Sequence, residues 1–160
     1  MKVVHGDLIK LALEGKFDVI IHGCNCFHTM NSGIARQMRE TFPQVLETDK
    51  AVTKYGDIGK LGTFTSVVEP SNVPGFKFVI VNAYTQFKYG YKGAKYCDYD
   101  AIADAFKSIK ETFGNSGHRF GYPRIGAGLG GGDWFTISRI IDEELKDENH
   151  TLVEFVPDDK

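Results

Sequence analysis

The stretch Pro123-Arg124-Ile125-Gly126-Ala127-Gly128-Leu129-Gly130-Gly131-Gly132-Asp133-Trp134 packs five glycines into the seven residues from Gly126 to Gly132. Glycine loses more conformational freedom on folding than any other residue, so such a run costs stability unless it meets a geometric need. Phe120 to Ile125 before it reads as a strand. Trp134 to Leu145 after it has helical spacing, with Ile137, Ile140, Ile141 and Leu145 on one face. Loops that leave a strand and open a helix are where α/β folds hold ligands. Successive N–H groups there can form a nest for an anion, aided by the positive end of the following helix. A flexible connector is the plainer alternative. No Lys-Ser/Thr follows, so this is not a Walker loop, and the GxGxxG match from Gly126 to Gly131 carries little weight alone.

The rest of the chain alternates strand-like and helix-like segments, which predicts an α/β fold. Val3-Val4, Phe17 to Ile21, Gly62 to Val68, Lys77 to Ala83 and Thr151 to Val156 read as strands. Leu8 to Leu13, Ile34 to Phe42 and Tyr99 to Phe113 read as helices, the first stopping at Gly15 and the second before Pro43. The expected architecture is a three-layer α/β/α sandwich around a mixed, mostly parallel sheet. With 160 residues and no repeat or low-complexity linker, residues 1–160 are expected to form one domain. A net charge of −2 supplies no general basic surface for a phosphate polymer. Three cysteines fit a reducing compartment better than a disulfide framework. The N-terminus lacks the pattern of a signal peptide, and no apolar run is long enough to span a bilayer. The expectation is therefore a cytoplasmic monomer with no membrane partner.

A second loop, Ile21-His22-Gly23-Cys24-Asn25-Cys26-Phe27-His28-Thr29-Met30-Asn31-Ser32-Gly33-Ile34-Ala35, also leaves an apolar strand and opens a helix. Ser32 and Gly33 offer backbone donors at that helix start, suited to phosphate. Asn25 carries both donors and an acceptor, as ribose hydroxyls require, or it satisfies its own loop. His22 is the titratable group that stands out beside this loop, although a histidine at a strand end is more often structural. Cys24 and Cys26 are one residue apart and Cys97 is distant, which is not zinc spacing. Neither a metal nor a cofactor is expected, and the cysteines read as small packing residues.

Taken together, these segments resemble a macro domain over essentially the whole chain. The resemblance rests on His5-Gly6-Asp7-Leu8, on Ile21-His22-Gly23-Cys24-Asn25 with Ser32-Gly33-Ile34-Ala35, and on Ile125-Gly126-Ala127-Gly128-Leu129 with Trp134. Within the family the chain is most similar to the yeast-type ADP-ribose 1″-phosphate phosphatases and related phage and bacterial proteins. The resemblance implies that Asp7 accepts from the adenine amino group with the Leu8 amide nearby. It implies that Asn25 holds the distal ribose, and that Phe155 packs on adenine unless it is plain core. Backbone groups of Ser32, Gly33 and Ile34 and of Gly126, Ala127, Gly128, Leu129 and Gly130 would hold the phosphates.

The departures from the family pattern also carry information. Asn31 stands where many members have glycine, and His22 where the broader family has asparagine. A subgroup that removes ADP-ribose from glutamate or DNA uses a lysine and an aspartate; the corresponding positions here are Gln86 and Gly130. The expected activity is hydrolysis of ADP-ribose 1″-phosphate, with His22 orienting or deprotonating a water and Asn25 positioning the ribose. The alternatives are a non-catalytic ADP-ribose-binding module and a hydrolase of protein- or nucleic-acid-linked mono-ADP-ribose. The aromatic and basic segment Phe87 to Tyr96 could border the distal-ribose side of the pocket and touch a nucleic acid strand there, but a solvated loop is favoured.

Overall fold

The computed structural model describes residues 1–90 and 94–156. Among the described residues the six strands are β1 (Lys2–Gly6), β2 (Val19–Cys24), β3 (Phe64–Pro70), β4 (Lys77–Tyr84), β5 (Arg119–Tyr122) and β6 (Asn149–Phe155). The α-helices are α1 (Leu8–Leu13), α2 (Gly33–Thr41), α3 (Gln44–Val52), α4 (Tyr99–Phe113) and α5 (Trp134–Glu144). The strands form one sheet in the order β1-β6-β5-β2-β4-β3. All neighbours are parallel except β3 and β4, which run antiparallel. The expected mixed, mostly parallel sheet is present, with helices on both faces.

Alternation along the central strands builds the layers. Ile20 and Ile80 face a core that also holds Leu8, Ile9 and Ala12 of α1, Met38 of α2 and Val45 of α3. Val19, Ile21, Val81 and Ala83 face the opposite core, with Ile102, Ala105, Phe106 and Ile109 of α4 and Ile137 and Ile141 of α5. Successive strand residues point to opposite faces, so β2 is apolar on both sides because both sides are covered. Each such fully buried side chain stabilises the fold by roughly 1.5–3 kcal/mol relative to exposure.

Element ends shift from the sequence reading: β2 runs Val19–Cys24, β3 Phe64–Pro70 and β6 Asn149–Phe155. β5 ends at Tyr122, and Pro123 to Ile125 already belong to the loop. Helix α3 has no counterpart in the sequence reading. Its buried positions are Val45 and Asp49, one turn apart, while Val52 is exposed. A carboxylate on the buried face erased the apolar periodicity. Pro43 ends α2 and also occupies the N-cap of α3, where its fixed φ and missing N–H cost nothing.

Candidate functional site

β2 pairs with β5 through Val19–Phe120 and Ile20–Gly121, and the pairing stops there. Beyond it, at the carboxyl ends of β2, β4 and β5, lies a cavity of about 260 Å³. Its lining includes Gly23, Cys24 and Asn25 after β2, Thr85 and Gln86 after β4, and Pro123 to Gly126 after β5. Crevices outside the carboxyl ends of parallel strands are the usual ligand positions in open α/β sheets.

Two sets of backbone donors meet there. Ser32, Gly33, Ile34 and Ala35 line one wall and form the start of α2. The first turn of any helix leaves amides without intrahelical acceptors, and the Ser32 side chain makes no capping bond. On the opposite wall stand Gly126, Gly128, Leu129 and Gly130. Among the described residues the amides of these four donate to no backbone acceptor outside regular elements, whereas Gly131 N and Gly132 N close turns onto Gly128 O and Gly126 O. Arg124 is the one permanently charged side chain in the described lining. Glu154 holds its guanidinium at 2.6–3.1 Å, and Trp134 lies beneath it.

The glycines of the second loop serve different ends. Gly126 and Gly131 adopt φ of 76° and 70°, a region that disfavours side chains. A Cβ on Gly130 would lie 2.7 Å from Gly126 O, one on Gly132 would collide with Cys97 Sγ, and one on Gly131 with Ala94 O. Tyr96 N and Cys97 N both donate to Gly130 O, at 2.7 and 2.9 Å. Most of the run is therefore glycine because the chain packs backbone against residues 94–97. Gly128 alone in the run has open space around its Cβ position. Nor does α5 lend its positive end to this loop, as the sequence suggested. The Asp133 carboxylate takes up that end, accepting from Thr136 N at 3.0 Å and Thr136 Oγ1 at 2.7 Å. The open helix end in the cavity belongs to α2.

His22 does not reach the cavity. Alternation along β2 turns it inward, and its exposure is 0%. Asn82 Nδ2 donates to Val45 O and to Thr65 Oγ1, both at 3.1 Å, which leaves Asn82 Oδ1 to accept from His22 Nε2 at 2.6 Å. Burial pushes the imidazole down to about 4, with the Asn82 bond and the Asp49 charge opposing this more weakly. The imidazole is fully enclosed and is not among the described lining residues, so its geometry is that of a buried hydrogen-bonded residue and not of one facing the cavity. Cys24 lines the cavity, but burial raises its thiol well above the ordinary range, and burial raises Cys26 to about 11. Neither is a thiolate near neutrality.

Asn25 is 9% exposed and lines the cavity, yet its amide is occupied. Nδ2 donates to Thr29 Oγ1 at 2.7 Å and Thr29 O at 3.3 Å, and Oδ1 accepts from Phe27 N at 2.8 Å. Asp7 lies outside the cavity as the N-cap of α1, accepting from Lys10 N at 3.1 Å. Leu8 is core at 3% exposure, and Ala127 does not line the cavity. Phe155 is 59% exposed at the end of β6, opposite Gly6 in register and so beside Asp7. It is therefore not core. Thr29, Gln86 and Arg124 are lining residues that sequence reasoning did not assign to the ligand, while Tyr89 and Gly90 line it from the segment expected to border the pocket. For Arg124 the signal was its place between Pro123 and the glycine run. Of the segment Phe87 to Tyr96, Tyr91, Lys92 and Gly93 lie outside the described residues. No group of three or more His, Cys, Asp or Glu side chains suited to a metal occurs among the described residues, and no described helix is long and apolar enough to cross a membrane.

Comparison with known proteins places this arrangement. The macrodomain of DarG from Thermus aquaticus superposes with a TM-score of 0.73 at 19% identity, covering 98% of this chain and 97% of the other. DarTG from Thermosipho africanus, solved in complex with ADP-ribose, gives 0.74 at 16% identity, over 100% of this chain and 43% of that longer one. A Streptomyces coelicolor macrodomain protein gives 0.67 at 22% identity, over 98% and 100%. The fold is that of the macrodomains. No protein-family model matches the sequence. At 38% identity over 159 residues, 98% of this chain and 97% of its relative, the chain belongs to the family of an uncharacterized 17.5 kDa protein from the tk-vs intergenic region of Enterobacteria phage T4.

Proposed function

We propose that the cavity holds the diphosphate of ADP-ribose or a derivative, and that the chain hydrolyses ADP-ribose 1″-phosphate to ADP-ribose and phosphate. The observation that carries the reading is the convergence of the α2 N-terminus and the amides of Gly126, Gly128, Leu129 and Gly130 on one cavity. Fixed N–H dipoles of this kind stabilise anionic oxygen without reorganising. DarTG from Thermosipho africanus, which carries this fold over 43% of its length, was solved in complex with ADP-ribose. The nucleoside would extend past Arg124 and Glu154 toward Phe155 and Asp7, which share the ends of β6 and β1. Asn25 and Thr29 would face the distal ribose.

In the reaction a water oxygen attacks phosphorus, the P–O1″ bond breaks, and the released O1″ takes a proton. Among the described lining residues there is no Asp, Glu, His or Lys to act as the base. The water's proton would pass to an oxygen of the substrate's own terminal phosphate and from there to the released O1″, while the second hydrogen stays on the attacking oxygen in the phosphate product, with backbone amides stabilising the charge that develops. This same absence favours a second reading, a binding module without turnover. Incubation with ADP-ribose 1″-phosphate and, separately, with mono-ADP-ribosylated protein distinguishes the readings, alongside calorimetry with ADP-ribose. Phosphate release from the first substrate supports the phosphatase. ADP-ribose binding with neither substrate consumed leaves the module, and no ADP-ribose binding refutes both.

A further inference from the structure

The turn from Asn25 to Thr29 gives both of its end residues to the cavity lining, and His28 lies within it. The φ of His28 is 54°, a left-handed conformation that a residue with a side chain holds only when its surroundings impose it. The His28 ring is tied to a buried charged cluster. His28 Nε2 lies 2.9 Å from Thr53 Oγ1, at the end of α3. The Thr53 hydroxyl donates to Asp49, 2.5 Å from its carbonyl and 3.1 Å from Oδ1. Lys60 Nζ donates to the same hydroxyl at 2.8 Å and to Asp49 Oδ1 at 3.1 Å, and Tyr84 OH donates to Asp49 Oδ1 at 2.7 Å. Asp49 and Lys60 are 1% and 5% exposed. A hydroxyl offers one proton and two lone pairs. With the proton on Asp49 and one lone pair on Lys60, the other lone pair accepts His28 Nε2–H. The ring of Phe27, the preceding residue, is wedged edge-on between Tyr55, Phe87 and Tyr89.

The geometry points to His28 and Thr53 as positioning residues for the ligand: they lock the Asn25–Thr29 turn to the buried Asp49–Lys60 pair and so set the distal end of the cavity. The inference rests on the ADP-ribose reading, in which that turn faces the distal ribose. Neither residue lines the cavity, so both act through Asn25 and Thr29. The lock predicts a loss confined to ligands that carry the distal ribose.

The test compares ADP-ribose with ADP, which lacks that ribose, by calorimetry. Thr53→Val removes the hydroxyl at nearly constant shape. It is expected to raise the Kd for ADP-ribose by roughly three- to tenfold and to leave that for ADP unchanged. Thr53→Ser, which keeps the hydroxyl, is expected to retain the wild-type ratio. Equal loss for both nucleotides, or loss for neither, overturns the positioning role while the ADP-ribose reading stands. A wild type that binds neither nucleotide overturns both. If Thr53→Val does not fold, His28→Gly carries the same comparison, because glycine takes the positive φ freely and lacks the ring.

Discussion

Acidification between pH 6.5 and 4 should destabilise this protein through His22. In the unfolded chain the imidazole titrates near its ordinary 6.5, and in the folded chain burial pushes it down to about 4. Within that window the unfolded state binds the extra proton, so stability rises with pH. The contribution is fully present above about pH 6.5 and is lost as pH falls toward 4. The displacement corresponds to about 3 kcal/mol, a large share of the usual 5–15 kcal/mol of a domain. The control is His22→Gln, which keeps an amide donor for Asn82 Oδ1 but does not titrate. Urea unfolding of both proteins from pH 7.5 to 4 isolates the effect, because other acid-sensitive groups are common to both. One of these is Asp18, which its hydrogen bonds from Arg119 hold below the usual carboxylate range. Wild type should lose stability relative to His22→Gln across the window, with m unchanged. Parallel curves for the two proteins would refute the burial of a neutral His22 and reopen its place at the cavity.

Four other substitutions have outcomes that the geometry sets. Gly128→Ala should leave Tm unchanged while weakening ADP-ribose binding in calorimetry, since its Cβ enters open space in the cavity; Gly130→Ala should lower Tm, because its Cβ lies 2.7 Å from Gly126 O. Lys60→Met strands the Asp49 carboxylate at 1% exposure and should cost about 3–5 kcal/mol in urea unfolding; a loss well under 1 kcal/mol would show that the pair is not buried in solution. Asp98→Ala removes the cap that accepts from Ala101 N at 3.0 Å and should cost about 1 kcal/mol by the same assay, without changing ligand affinity.

Much of the fold was legible in the chain alone. Apolar periodicity is local, so the strands at residues 17–21 and 77–83 and the helices at 99–113 and 134–145 could be read without contacts. Helix α3 could not, because its buried face carries Asp49, and a buried carboxylate makes sense only beside Thr53 at the helix's own end and Lys60 and Tyr84, which arrive from elsewhere in the chain. The same division runs through the site. The two loops could be located because each sits between a strand and a helix. Which of their groups face the cavity was a tertiary decision. Strand alternation buried His22, the turn to Thr29 occupied the Asn25 amide, and Asp133 closed the end of α5 while the end of α2 stayed open. The glycine run was visible at once as a backbone that side chains must not enter. Only the packed structure distinguished Gly128, which borders open space, from its neighbours Gly130 to Gly132, whose space is filled by Gly126, Cys97 and Ala94.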